Sequence, residues 1–354
     1  MPQFLHAQFM QRCIQLAKLG LGNVAPNPMV GAVIELNGKI IGEGYHHQFG
    51  AAHAEVNAIN STDEALLKDG TLYVNLEPCS HFGKTPPCAD LIIEKGIKRV
   101  VIGCLDPFKE VAGRGIATLK AHGVDVILDV CKEQCLELNK RFITSLEKKR
   151  PYIILKYAQT ADGYIGLDAT HDISTSRQIS RRESQQLTHR WRSEESAILV
   201  GTNTALLDNP KLNTRFFGGN NPTRILLDKD LKVPFSNNIY DTTQNTIVFT
   251  QKNKSTRILN CTFLEIDFNA PAFLKEMLEI VLENNLQSII IEGGAATLQS
   301  FYDANLWDES RIFTSTTSWG KGIKSPLQAK DAKIISEEKI ATDTLTIYKN
   351  TTAS

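Results

Sequence analysis

No stretch of this chain approaches 18 consecutive apolar residues, so no transmembrane helix is predicted. The first twenty residues, MPQFLHAQFMQRCIQLAKLG, also lack a continuous apolar block. Their apolar residues recur at helical spacing, which predicts an amphipathic helix and not a signal peptide. Neither sign of charge is in excess: Lys+Arg and Asp+Glu both number 39, for a formal net charge of zero. General nucleic-acid or membrane-surface binders usually carry excess basic charge, so both roles lose support. Cysteine is scarce. The seven present are Cys13, Cys79, Cys88, Cys104, Cys131, Cys135 and Cys261, an odd number in 354 residues. That argues against a disulfide framework and for reduced thiols, with the cytoplasm as the expected compartment. The rest is ordinary. Hydrophobic residues at 42% and charged residues at 22% fit a globular protein, and the length suggests two domains or three.

The first part of the chain alternates strand and helix patterns. MVGAVIEL and KIIGEGYH read as strands joined by Asn37-Gly38, a strong hairpin signal. A helix is predicted from about His53 to Leu67. TLYVNLEP, RVVIGCLD and VDVILDV follow as strands, interleaved with helices over CADLIIEKG and GRGIATLKAHG, and 131–148 reads as one more helix. Glu147-Lys148-Lys149-Arg150, followed by Pro151, marks a boundary between domains 1–148 and 149–354. A solvated helix end inside one domain is the alternative. Beyond it come strand patterns YIILKYA, AILVG, RILLD, TIVFT, FLEID, SIIIEGG, RIFTST and LTIYK, with helical patterns at about 180–193, 271–285 and 295–305. Each half is therefore expected to be an α/β domain, a mixed or parallel sheet covered by helices.

Chemistry concentrates between His53 and Cys88. Imidazole and thiolate are preferred zinc ligands, and a catalytic zinc keeps a fourth position for water. His53, Cys79 and Cys88 offer three such ligands, and Glu55, two residues past His53, is placed to act as a proton shuttle. His53 and Cys88 each open a predicted helix, whose positive end favours thiolate over thiol. The H-x-E and P-C elements match the zinc-deaminase pattern. The spacing does not, since eight residues (SHFGKTPP) separate the cysteines where that pattern has two. Two buried free cysteines, a structural zinc site with His81 as fourth ligand, and a deaminase acting on nucleic acid are the competing readings. The neutral charge and the lack of a basic, aromatic-interleaved stretch speak against the last. Metal content and ammonia release would separate them.

HAEV, LEPCSHFGKTPPC, NPMVGAVI, GEGYH, DPFKEVAGRG and LN-K-RF resemble the deaminase half of the bifunctional riboflavin-biosynthesis deaminase/reductase family, usually called RibD or RibG. The long cysteine spacing is normal there. The resemblance implies a cytidine-deaminase-like α/β/α fold, one zinc per chain held by His53, Cys79 and Cys88, and Glu55 as the catalytic acid/base. It implies removal of the 2-amino group of 2,5-diamino-6-(5-phosphoribosylamino)pyrimidin-4(3H)-one. Asn27, His46, His81, Lys84 and Asp106 match positions that contact this substrate. A turn residue, a strand-end histidine and a solvated charge are the alternatives at Asn27, His46 and Lys84. Lys109 stands where the family's DPNP commonly has its second proline.

In the second half, LKYAQTADG, WRSEESAILVGTNTALLDNPKLNTR, PTRILLD and IIEGG resemble the reductase half of the same family. That implies a dihydrofolate-reductase-like fold and NADPH as cofactor. By motif position, Ala158, Gln178, Thr204, Asp208 and the turn Gly293, Gly294, Ala295, Ala296 and Thr297 would line the cofactor site. Lys156, Ser176, Ser180, Arg192, Leu212, Arg215 and Glu292 would line the substrate site. Without the resemblance, SIIIEGGAATLQSF is only a strand-to-helix turn able to approach a phosphate, and a surface arginine is the alternative at Arg192 and Arg215. Guanidinium suits a phosphate dianion. The family's S-L-D-G is Thr160-Ala161-Asp162-Gly163 here, a short insertion lies near 169–172, and Ser180 replaces a threonine. Gln178 replaces a tryptophan and cannot reproduce an indole stacked on nicotinamide. The implied reaction is hydride transfer to C1′ of 5-amino-6-(5-phosphoribosylamino)uracil, giving a ribityl chain. The implied partners are phosphoribosylated pyrimidines and further copies of the chain, as a dimer or tetramer, with no nucleic acid and no membrane.

Overall fold

The structure is a computed structural model, and it describes residues 3–80, 86–108, 112–167, 178–252, 257–329 and 331–353. The chain divides into two compact units, Met1–Lys149 and Arg150–Ser354. Among the described residues no helix is long and apolar enough to cross a membrane, and all seven cysteines are free.

The first unit begins with helix α1 (Gln3–Lys18) and the hairpin β1 (Gly31–Leu36) and β2 (Lys39–Tyr45). Asn37 and Gly38 both take positive φ (52° and 80°), as the tight turn requires. Then come α2 (Ala54–Asn60), α3 (Glu64–Leu67), β3 (Thr71–Leu76), α4 (Cys88–Glu94), β4 (Arg99–Cys104), α5 (Arg114–Ala121), β5 (Asp125–Ile127), α6 (Lys132–Leu138) and α7 (Lys140–Glu147). The sheet order is β2-β1-β3-β4-β5, with β3, β4 and β5 parallel. Alternation along the strands sorts side chains into two cores. Ala32, Ile34, Val74, Val100 and Ile102 meet α2, α4 and α5 on one face. Val33, Tyr73 and Val101 meet α1 and α6 on the other. The result is a three-layer α/β/α unit.

Three expectations need correction. The helix predicted over His53–Leu67 is two helices: Ser61 and Thr62 hydroxyls turn back to the Ala58 carbonyl, and Asp63 caps the second helix by accepting from Ala65 N–H. Helix 131–148 breaks at Asn139, whose side chain both donates to and accepts from the Met29 backbone. VDVILDV forms only a three-residue strand.

The second unit holds β6 (Tyr152–Gln159), β7 (Tyr164–Gly166), α8 (Arg182–Glu194), β8 (Ala197–Gly201), α9 (Thr202–Asp208), β9 (Thr223–Leu227), β10 (Thr246–Thr250), β11 (Cys261–Glu265) and α10 (Phe273–Glu283). It continues with β12 (Ser288–Gly293), α11 (Ala295–Asp303), β13 (Glu309–Thr314), β14 (Ile323–Lys324), β15 (Ala332–Ile340) and β16 (Asp343–Asn350). Its main sheet runs β11-β10-β9-β8-β12-β6-β13-β16-β15. Every pairing from β11 to β13 is parallel, and β16 and β15 close the sheet antiparallel. Strands β6, β8, β10 and β12 carry the buried apolar runs YIIL, AILV, IVF and III, as strands covered on both faces must. Helices α10 and α11 cover one face, and Trp191 of α8 and Ala205 of α9 pack on the other. Strand β12 enters late between β6 and β8, which makes its carboxyl end a topological switch point, the usual ligand position in such sheets.

Candidate active sites

In the first unit three side chains converge at helix starts and a strand exit. His53 is the N-cap of α2, and Cys88 is the first residue of α4. Cys79 lies three residues past β3, directly after Pro78, because the strand predicted over TLYVNLEP stops at Leu76. His53 Nδ1, Cys79 Sγ and Cys88 Sγ all lie within 4.8 Å of one another. The Nδ1···Sγ separations are 3.3 Å to Cys88 and 3.6 Å to Cys79. A tetrahedral zinc with Zn–N about 2.05 Å and Zn–S about 2.3 Å spans N···S edges of roughly 3.5 Å. The donor set and its spacing therefore fit that ion, with three donors among the described residues.

The thiols are differentiated. The Cys88 thiol and its backbone N–H, the latter at 3.3 Å, both donate to Cys79, which holds the Cys79 thiol well below its ordinary range. The same contact, with burial, pushes Cys88 up. Glu55 is buried in the first turn of α2. Burial first, and the neighbouring Cys79 second, raise its carboxyl to about 7. A group held there can both take and return a proton near neutral pH.

Beside the triad, His46 is buried, and burial keeps it on the neutral side. Its Nδ1 lies 3.0 Å from the Ala52 carbonyl and its Nε2 lies 3.1 Å from Asn27 Nδ2. A carbonyl can only accept, so Nδ1 carries the proton and Nε2 accepts from the Asn27 amide. That assignment leaves Asn27 Oδ1 as the acceptor for a ligand. Asp106 follows β4 and accepts from the Phe108 N–H at 2.9 Å. His81 and Lys84 lie outside the described residues, as does the departure at Lys109.

The second unit gathers a charged cluster at the carboxyl end of β12. Register sets Ile291 opposite Leu155, which puts Glu292 next to Lys156 on the neighbouring strand. Arg192, from α8, grips Glu292 with two 2.7 Å hydrogen bonds and donates to the Asn213 carbonyl at 3.0 Å. Lys156 Nζ stands 3.9 Å from Glu292 and 5.9 Å over the Phe313 ring. Burial by itself would raise the Glu292 carboxyl, but Arg192 and then Lys156 outweigh it and hold the group at about 2. Burial lowers Lys156. Arg215 is exposed, donates to Asn213 Oδ1 at 3.0 Å and covers the Phe216 ring at 4.8 Å. Lys156, Arg192 and Arg215 give three cations to one carboxylate, a surplus suited to an anionic ligand.

His189 escaped the sequence reading, although it lies one turn before Arg192 on α8. Burial, then Arg192 and Arg215, depress it to about 4, so it is neutral, and its Nδ1 accepts from the Phe216 N–H at 3.4 Å. Leu212 takes a positive φ of 53°, and its side chain is buried in the core. Ser180 offers its carbonyl to the side-chain amides of Gln178 and Gln185, and Ser176 lies outside the described residues.

Next to this cluster the turns after β8 and β12 nearly touch. A Cβ on Gly293 would sit 2.8 Å from Thr204, and one on Gly201 would sit 2.6 Å from Thr297 Oγ1. Gly294 has φ of 79° and leads into α11, whose first-turn N–H groups face outward from the helix end. Ala295, Ala296 and Thr297 form that first turn. Ala158 sits on β6 opposite Phe313, and Asp208 is the exposed last residue of α9.

A family model for the RibD C-terminal domain matches residues 151–343, and one for the cytidine and deoxycytidylate deaminase zinc-binding region matches residues 5–104. The riboflavin biosynthesis protein RibD of Aquifex aeolicus is 40% identical over 89% of this chain and 88% of its own length. That of Actinobacillus pleuropneumoniae is 37% identical over 96% and 94%. The crystal structure of a diaminohydroxyphosphoribosylaminopyrimidine deaminase/5-amino-6-(5-phosphoribosylamino)uracil reductase from Thermotoga maritima superposes with a TM-score of 0.88 at 37% identity, covering 98% of this chain and 99% of that one. Acinetobacter baumannii RibD gives a TM-score of 0.90 at 29% identity over 99% and 100%. With both halves matched over nearly their full length, the chain belongs to the RibD family of bifunctional riboflavin-biosynthesis deaminase/reductases.

Proposed function

We propose that residues 1–148 hydrolyse the 2-amino group of 2,5-diamino-6-(5-phosphoribosylamino)pyrimidin-4(3H)-one, and that residues 149–354 then reduce 5-amino-6-(5-phosphoribosylamino)uracil with NADPH. The observation that carries the reading is the His53–Cys79–Cys88 triad with buried Glu55 beside it. Zinc held there by His53, Cys79 and Cys88 would supply a Lewis acid that lowers the pKa of a bound water. Glu55 takes the proton that water gives up and returns it to the departing amine. The C2–N bond breaks, oxygen takes its place, and ammonia leaves. Asn27 Oδ1, His46, His81, Lys84 and Asp106 hold the base and its ribose phosphate.

In the second reaction bound NADPH would supply the hydride for C1′, with the C1′–O4′ bond breaking and O4′ taking a proton. The glycine-lined turn 293–297, with Ala158, Gln178, Thr204 and Asp208, receives the cofactor. Lys156, Ser176, Ser180, Arg192, Leu212, Arg215 and Glu292 receive the substrate, whose phosphate meets the surplus cations. The enzyme works in the cytoplasm as a homo-oligomer, a dimer or tetramer. The test is one assay on the full chain that follows ammonia and NADPH separately. Ammonia released from the diaminopyrimidine without NADPH, then NADPH oxidised in step with uracil product, is the expected result. Release from cytidine or single-stranded DNA in its place would replace this reading with a nucleic-acid deaminase.

A further inference from the structure

Glu77 precedes the zinc-ligand turn, is buried, and takes no part in the chemistry above. Its backbone N–H bonds the Cys104 carbonyl at 3.0 Å, so it continues the β3–β4 pairing one residue past the carboxyl end of β3. Its side chain accepts from four backbone N–H groups. Oε2 takes Asp106 at 3.3 Å and Gly113 at 2.9 Å; Oε1 takes Gly115 at 3.0 Å and Ile116 at 3.4 Å. A carboxylate has about four lone-pair positions, and here all four are used. Two donors are orphan N–H groups of the first turn of α5, where a negative charge is favoured. The third opens that helix, and the fourth is Asp106 itself. The fit is tight: a Cβ on Gly115 would lie 2.2 Å from the Pro78 carbonyl.

We infer that Glu77 is a positioning residue for the deaminase, tying the strand-end loop that carries Asp106 to the turn that carries Cys79 and so setting affinity for the substrate. The inference rests on the reading of Asp106 as a substrate contact. His53 and Cys88 are held by their own helix starts, and Cys79 accepts from the Cys88 N–H, so the carboxylate is not needed to assemble the three. In Glu77→Gln an NH2 group replaces one oxygen and faces two N–H donors, which drives the loop off the turn.

The test uses the full chain, with zinc content and reduction of the deaminated compound as internal controls. Glu77→Gln should raise the deaminase KM about tenfold or more, the scale of losing charge-assisted hydrogen bonds, with kcat within a few-fold, zinc retained and reduction unchanged. Asp106→Asn should raise KM as well, and the double variant should be no worse than the poorer single one, because both remove the same contact. A role confined to capping α5 would instead give effects on KM that multiply. Multiplying effects, an unchanged KM in Glu77→Gln, a collapse of kcat, or loss of zinc each overturn the inference. An unchanged KM in Asp106→Asn overturns the substrate-contact reading and the inference with it, whereas a response to Asp106→Asn alone overturns the inference only. If Glu77→Gln does not accumulate as folded protein, Gly113→Ala decides. It keeps the carboxylate and meets nothing within 4 Å, but strains a φ of 81° in the bound loop. A raised KM with zinc retained supports the tie, and an unchanged KM refutes it.

Discussion

Replacing Glu292 with glutamine should unsettle the second unit more than a surface change would. The side chain is 7% exposed, and both its oxygens accept from Arg192 at 2.7 Å. A carboxyl held at about 2 against an ordinary 4.5 corresponds to about 3 kcal/mol, at about 1.36 kcal/mol per pH unit. Independently, removing one partner of a buried ion pair costs about 3–5 kcal/mol, because the remaining charge is left uncompensated. Here two charges, Arg192 and Lys156, would be left. The expected loss at pH 7 is therefore about 3 kcal/mol. All three tryptophans, Trp191, Trp307 and Trp319, lie in the second unit, so their fluorescence during urea unfolding reports that unit alone. The folded-state pKa is depressed, so its contribution is present above the unfolded value and fades as pH falls from 4.5 towards about 2. Wild type should lose its advantage over Glu292→Gln across that window. A loss under about 1 kcal/mol at pH 7 is the range of an exposed ion pair, and would refute the account of the cluster as buried and charge-coupled.

Three further outcomes follow from the sites. Cys79→Ala and Cys88→Ala should each lose the roughly one zinc per chain that a three-ligand site holds, read by metal analysis of the purified protein; full zinc in both would remove them as ligands. Glu55→Gln should keep zinc and fold while slowing ammonia release roughly 10²–10⁴-fold, with reduction of the already deaminated compound unchanged; deamination within a few-fold of wild type would end its role as proton shuttle. Arg215→Ala should weaken the phosphorylated substrate roughly 10- to 100-fold and leave NADPH binding intact, with Arg215→Lys recovering only part because an ammonium cannot make a planar paired contact. Separate titrations decide it: loss of NADPH binding would move Arg215 to the cofactor side, and no change would make it a surface residue.

The His53–Cys79–Cys88 cluster was legible in the sequence because its chemistry is local. His53, Glu55, Cys79 and Cys88 fall within one short span, and each residue type has few other reasons to recur in that order. The central parallel strands β8 and β12 were legible for a related reason: burial on both faces leaves the continuous runs AILVG and SIIIEGG. Strand β15 was not legible, because nearly all of its residues are exposed. AKIISEEKI has no buried face to impose alternation, and only pairing with β16 makes it a strand. Residues 53–67 and 131–148 carried helical periodicity throughout. Their breaks come from hydroxyl and amide side chains that prefer particular backbone partners, one of them, Met29, 110 residues away. The reductase cluster shows the same limit. Glu292 and Arg192 are 100 residues apart, and nothing local in either segment names the other. The β6–β12 register and the packing of α8 on the sheet decide that they meet. Periodicity and motif chemistry were thus set by the sequence within a few turns of chain, whereas charge pairing and loop anchoring needed strands brought together by the hydrophobic core.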